Sequence, residues 1–153
     1  MEIYLAGAMA CYGSKSDEAK KWREKTKEYF FRWGESCRTI SPVDYYSIGS
    51  DDFKNPSEVM RFDLRKVREA DLVLVNLKDL DKSLGTSDEI FYAYMRGIPV
   101  IGFLETEDDE LSETEVQETV HPWKYEQIDR IETGEDAMAK AITYIIGYYE
   151  EQR

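Results

Sequence analysis

Two cysteines, Cys11 and Cys37, and one histidine, His121, are all that 153 residues contain of the side chains that most readily bind transition metals. The cysteines form no CxxC pair and no histidine pattern joins them, so neither a zinc site nor a disulfide framework organises the chain. A lone histidine also leaves no Ser-His-Asp or Cys-His constellation to build from, and in a loop it reads as plain surface. No metal and no cofactor is expected. The chain contains neither GxGxxG nor GxxxxGK[ST], which removes the dinucleotide fingerprint and the P-loop. Long apolar runs are missing too: nothing approaches the roughly 18 residues a membrane span needs, and the N-terminus lacks a signal-peptide pattern. The expectation is a cytoplasmic protein with reduced thiols. Positive charge is scarce, with 20 Lys+Arg against 32 Asp+Glu and a formal charge of −12, which argues against a nucleic-acid polymer as partner.

What the sequence does contain is a regular exchange of strand and helix signals along one domain, residues 1–153. EIYLAG, Glu2 to Gly7, is a β-rich run ending in glycine. After the loop Ala8 to Ser16, with Gly13, Ser14 and Ser16, Ala19, Trp22, Thr26, Tyr29/Phe30 and Trp33 recur at helical steps, with Lys and Arg on the opposite face. Gly34 stops that helix, and Cys37 to Ser41 before Pro42 reads as a second strand. A long loop from Asp44 to Pro56 leads to a helix from about Glu58 to Glu69, capped by Ser57 or Asn55, with the stripe Val59, Met60, Leu64 and Val67. Asp63 falls inside this stripe, where a carboxylate costs free energy unless it has a partner, reaches water or faces a cavity.

Leu72 to Leu77 and Pro99 to Leu104 are apolar runs suited to parallel strands covered on both faces. Between them Ile90, Ala93 and Tyr94 mark a helix, with Glu89 expected in its first turn, close to Gly85. Asp71, opening the third strand, is expected to bind nearby backbone amides. The stretch Glu105 to Thr119 carries eight acidic residues and reads as a solvated loop or exposed helix. Tyr125 to Ile131 is a weak fifth strand, and Met138, Ala141, Ile142, Ile145 and Ile146 form a closing amphipathic helix. This alternation predicts an α/β fold: a three-layer, doubly wound, five-stranded parallel sheet of flavodoxin/Rossmann-like type in the order 2-1-3-4-5. Its switch point brings the loop after Gly7, the Asp63 region and the Gly85 to Glu89 turn to one crevice.

The sequence resembles the nucleoside 2-deoxyribosyltransferase family and its relatives, the 2'-deoxynucleoside 5'-monophosphate N-hydrolases. The likeness rests on IYLAG, on Asp63 eight residues before Asp71, and on Ser83-Leu84-Gly85-Thr86-x-x-Glu89 followed by Ala93 and Gly97-x-Pro99-Val100. It implies that Glu89 is a nucleophile, that Tyr4 lies near its carboxylate and that Asp63 handles the proton or the base. It further implies Gly7, Ser83, Gly85 and Thr86 at the substrate, and a homo-oligomer, at least a dimer. Transferases of the family commonly carry an acid at the position of Ser83, whereas the monophosphate hydrolases resemble this chain there. A hydroxyl at a helix N-terminus can donate to a 5'-phosphate that an acid would repel, although a serine before a helix is also an ordinary cap. The chemistry expected is cleavage of the N-glycosidic bond of a nucleoside or its 5'-monophosphate, by transfer or hydrolysis. A non-catalytic nucleotide sensor and an acidic interaction module built on Glu105 to Thr119 are the competing readings.

Overall fold

The computed structural model describes residues 1–9, 16–34, 36–45, 55–107 and 110–150. Cys11 and the Gly13 to Lys15 stretch lie outside the described residues, as does most of the Asp44 to Pro56 loop. Five strands form one sheet: β1 (Glu2–Gly7), β2 (Arg38–Ile40), β3 (Leu72–Asn76), β4 (Val100–Leu104) and β5 (Arg130–Thr133). All pairings are parallel and the order is β2-β1-β3-β4-β5, as the alternation predicts. The helices are α1 (Ser16–Trp33), α2 (Pro56–Glu69), α3 (Leu84–Arg96), α4 (Glu113–Thr119), α5 (Pro122–Tyr125) and α6 (Ala137–Ile145). Among the described residues no helix is long and apolar enough to cross a membrane.

Side chains alternate across each strand, and this period sorts the core into two layers. Ile3, Leu5, Leu72, Leu74, Ile101 and Phe103 pack with Phe30 of α1 and with Met138, Ala141, Ile142 and Ile145 of α6. Tyr4, Ala6, Val73, Val75 and Val100 face the other way, onto Val67 of α2 and Ile90 and Ala93 of α3. Tyr4 is thereby committed to the α2/α3 side. Asp71 and Asp129 are tethers at the N-terminal edge of the sheet. Asp71 Oδ2 accepts from the Glu2 amide at 2.7 Å, and Asp129 Oδ2 accepts from the Val100 amide at 2.8 Å.

Several sequence expectations are corrected. In α1 the buried face runs through Ala19, Arg23, Thr26 and Phe30, while Trp33, expected on the apolar stripe, is 69% exposed. The spacing 19-23-26-30 is as helical as the one read through Trp22, but it places a guanidinium in the core. The Asn55 side chain, and not Ser57, caps α2, accepting from the Ser57 amide at 3.0 Å with Pro56 as the first helical residue. The fifth strand lies at Arg130–Thr133 instead of Tyr125 to Ile131. Pro122 starts a helical turn through Tyr125, and His121 Nδ1 accepts from the Trp123 amide to cap it at 3.3 Å. The acidic segment contributes α4, which opens on a reciprocal Ser112/Glu115 capping box and anchors itself through buried Val116.

Candidate active site

The strand order reverses direction between β1 and β3, and the crevice outside their C-terminal ends is where α2 and α3 meet. Helix α3 begins at Leu84, so Glu89 is its sixth residue and stands in the second turn, not the first as the sequence suggested. The shift changes its role. Thr86, Glu89, Ile90 and Ala93 recur at three- and four-residue steps and form the buried face of α3. Glu89 therefore points at the sheet instead of complementing the helix N-terminus. Directly beneath it Tyr4, itself fully buried, donates its hydroxyl to Glu89 Oε1 at 2.6 Å.

The Glu89 carboxyl is shielded from solvent, and its pKa is pushed up to about 8. Burial is the largest cause; the Tyr4 hydrogen bond pulls the other way, the nearby negative charges of Asp63 and Asp88 push up, and the positive charge of Arg23 pulls down. Near neutral pH the site thus holds a protonated Glu89 ready to ionise when its surroundings change.

Asp63 comes from α2. The stripe Val59, Met60, Leu64 and Val67 is covered only at Val67; Val59 and Leu64 are half-buried and Met60 is exposed. Its upper part is uncovered because it lines a cavity of about 440 Å³ together with Pro56, Asp63, Gly85, Asp88 and Glu89. That volume suits a small organic ligand, and the mix of apolar walls with a few convergent carboxylates fits a binding site for one. A Cβ at Gly85 would meet nothing within 4 Å, so the backbone there opens directly onto free space.

Gly7 lies at the C-terminal end of β1, beside the crevice. A Cβ on Gly7 would sit 2.8 Å from the Trp22 ring and 3.3 Å from Asn76 Cβ, so only glycine lets α1 approach the end of β1 this closely. Trp22 in turn rests edge-on against Phe103 with ring centroids 5.5 Å apart. The structure brings Tyr4, Asp63, Gly85 and Glu89 together around one cavity or just beneath it. Ser83 is set apart: it lines an adjoining cavity of about 620 Å³ with Leu84, Ser87, Phe91, Trp123 and Lys124, and Asp88 borders both spaces. Ser83 makes no capping bond to α3; its hydroxyl pairs at 2.8 Å with that of buried Thr86.

Sequence reasoning missed Arg23, assigned with the other cations to the solvent face of α1. The signal available was the step of four from Ala19, which puts it on the same face as a residue that must be buried.

The family model described as nucleoside 2-deoxyribosyltransferase matches residues 3–138. A search of curated protein sequences gave no match. Among solved structures, a conserved protein from Enterococcus faecalis V583 is 18% identical, with a TM-score of 0.67 over 94% of this chain and 97% of that one. The CMP N-glycosidase BcmB from Clostridium botulinum is 15% identical, with a TM-score of 0.57 over 97% and 100% of the two chains. A 2-deoxyribosyltransferase from Bacillus psychrosaccharolyticus is 21% identical, with a TM-score of 0.54 over 79% and 83%. At these identities the structural likeness shows the shared fold, while the family model spans both arms of the crevice, from β1 through α3, and continues into α6. The chain belongs to the nucleoside 2-deoxyribosyltransferase family.

Proposed function

We propose that the chain cleaves the N-glycosidic bond of a (deoxy)nucleoside or its 5'-monophosphate through a covalent intermediate on Glu89. The observation that carries this reading is a buried carboxyl, held by Tyr4 at 2.6 Å, on the wall of a cavity that also holds the Asp63 carboxyl. Cleavage develops positive charge at C1' and negative charge on the departing base, so one carboxylate and one proton donor are what the reaction needs. An ionised Glu89 oxygen attacks C1', the C1'–N bond breaks with its electron pair going to the base, and Asp63 gives the base a proton. Water, or the nitrogen of a second base, then attacks C1' as Asp63 takes a proton from it, and the Glu89 carboxylate leaves. Tyr4 holds the carboxylate in place through both steps.

Two carboxyls facing one cavity repel each other when both are ionised and behave as a pair sharing a proton. In the free protein below about pH 8 that proton resides on Glu89. Reaction needs the same proton on Asp63. The reactive form thus differs from the resting one by a proton shift inside the site, without uptake or loss.

A 5'-monophosphate with water as acceptor is the second reading, and what favours it is the start of α3. The Ser83 and Thr86 hydroxyls sit together there without a capping bond from Ser83, beside Gly85, which opens onto free space. Helix N–H groups, two hydroxyls and an open glycine suit a phosphate. The deciding experiment is mass spectrometry of the purified protein against the eight common nucleosides and deoxynucleosides and their 5'-monophosphates, with and without free base. Base release from monophosphates alone is the expected result of the second reading; base exchange that requires an acceptor identifies a transferase. A thermal shift with an intact nucleotide and no free base would instead mark a non-catalytic sensor and overturn the proposal.

The assembly expected is a homo-oligomer. Helix α3 leaves Leu84, Phe91, Tyr94 and Met95 exposed, and Leu84 and Phe91 line the adjoining cavity together with exposed Trp123. A second copy of the chain on this face would remove this apolar surface from water and wall the open side of the site. Sedimentation velocity at micromolar concentration should show a dimer or larger species; monomer alone would contradict this assignment.

A further inference from the structure

The larger of the two adjoining cavities, about 620 Å³ against about 440 Å³, has no place in the mechanism above. The two share a wall, because Asp88 lines both. On the α5 side of the larger one stands Lys124, half-buried and held in a fixed place. Its Nζ donates to the Ser87 carbonyl at 2.7 Å and to Gln127 Oε1 at 2.8 Å, and lies 5.7 Å from the centre of the Phe91 ring. Both acceptors are neutral, and Lys124 forms no ion pair among the described residues. An ammonium has three protons to donate, so these two bonds leave one for a ligand in the cavity.

The lining defines what fits. Phe91 and Trp123 present rings that are 48% and 76% exposed, an apolar surface suited to a flat partner. Asp81 and Asp88 bring acceptors and Lys124 a donor. His121 is a second donor: its Nδ1 accepts from the Trp123 amide, which leaves the proton of the neutral ring on Nε2. Lys82, also in the lining, is paired with Asp79 at 2.7 Å, so the charge balance is Lys124 against two carboxylates. An anion such as phosphate meets both carboxylates, and a cation meets Lys124. A flat, uncharged ring with acceptors and donors around its edge satisfies the whole set, and a nucleobase is such a ring, with faces that stack and an edge of carbonyl, ring nitrogen and N–H groups.

We propose that this cavity is a second nucleobase site, which stacks a free base on Phe91 and Trp123 while Lys124 donates to a base carbonyl or ring nitrogen and Asp88 accepts from a base N–H. The choice of ligand stands on the lining; its role rests on the reading that the chain releases or takes up a base at Glu89. Asp88 belongs to both walls and precedes Glu89 directly in the chain, so a base held here waits beside the reacting site. The departing base has a place to go, and an acceptor base is kept at high local concentration next to C1'.

The test is carried out on the full chain. Free cytosine, uracil, adenine and hypoxanthine are titrated separately into the wild-type protein without any nucleoside, and the Trp123 indole N–H resonance, assigned by its loss in Trp123→Phe, is followed. At least one base is expected to shift it saturably, and Lys124→Met to weaken that binding about tenfold or more, the scale for losing a hydrogen bond from a charged donor. A resonance that no base moves, or a base affinity unchanged in Lys124→Met, overturns the proposal. Should Lys124→Met fail to fold, nuclear Overhauser contacts between base protons and the Phe91 and Trp123 rings of the wild type decide; their absence overturns the proposal equally. A Trp123 resonance that moves with protein concentration and not with base assigns the cavity to contact between copies of the chain, and overturns it too. None of these measurements needs turnover. A base bound at Trp123 by a protein that cleaves no nucleoside upholds the site and refutes the reaction, whereas base release with Trp123 silent does the reverse.

Discussion

Glu89→Gln is expected to lose glycosidic-bond cleavage by roughly 10⁴-fold or more, the scale seen when an enzyme's nucleophile is removed, while gaining thermal stability at neutral and alkaline pH. The two effects have one cause. A folded-state pKa of about 8 against an ordinary value of 4.5 means that the native site prefers the protonated carboxyl. The stability this preference confers is fully present below about pH 4.5 and is lost progressively as pH rises through about 8, because the unfolded chain ionises first and binds fewer protons than the native one. A glutamine at this position stays neutral at every pH and has an amide oxygen that can still accept from Tyr4. The stability difference between variant and wild type should therefore be near zero at pH 4.5, grow between pH 4.5 and 8 and then level off. At the plateau it should reach about 5 kcal/mol, on the order of 10 °C or more in Tm. Thermal melts of both proteins from pH 4 to 9 measure it, with base release assayed on the same samples. Retained wild-type base release would remove Glu89 from the mechanism. An equal Tm difference at all pH values would show that the carboxyl is not held protonated by the fold.

The reason a protein retains a group that destabilises it at working pH is that the strain is placed where charge develops. Burial of Glu89 follows from its position on the inner face of α3, and the sequence pattern contains that position: Thr86, Glu89, Ile90 and Ala93 have the spacing of one buried stripe. What the pattern did not fix was the helix start. Ser83-Leu84-Gly85-Thr86 offers a serine, a glycine and a threonine, each of which suits the start of a helix, so a carboxylate three residues beyond Thr86 reads as first-turn decoration until the backbone is seen. The sheet was more legible, since uninterrupted apolar strands such as Leu72–Asn76 and Val100–Leu104 can only be central ones. The edge strand β5 was less so. Arg130, Ile131 and Glu132 are exposed or half-buried and only Thr133 is buried, which leaves a weak periodic signal that the aromatic Tyr125 outweighed. The burial of Arg23 was hidden by its chemistry. Among the Lys and Arg residues of α1, composition gives no way to single out the one that turns inward, although its step of four from Ala19 does.

Asp63→Asn should separate proton delivery from nucleophilic attack. The side chain lies on α2 across the cavity from Glu89, half-buried, and its negative charge is among the causes that hold Glu89 protonated. An amide there cannot give the departing base a proton, and a loss of about 10² to 10⁴ in kcat/KM is expected for ordinary nucleobases. For a nitrophenyl deoxyriboside, whose leaving group departs as a stable anion, the loss should be far smaller. The pH dependence should change in sign as well as size. In the wild type the reactive form has one proton on the pair, so kcat/KM should fall as pH rises past about 8, where that proton is lost. In Asp63→Asn only Glu89 titrates and only its ionised form attacks, so the residual rate should rise with pH through the Glu89 midpoint. That midpoint should itself lie lower than in the wild type, because the repulsion from Asp63 is gone. Steady-state kinetics with both leaving groups from pH 5 to 10 read all three effects. Equal losses for both substrates with an unchanged pH profile would make Asp63 a part of the cavity wall and leave the proton to come from solvent.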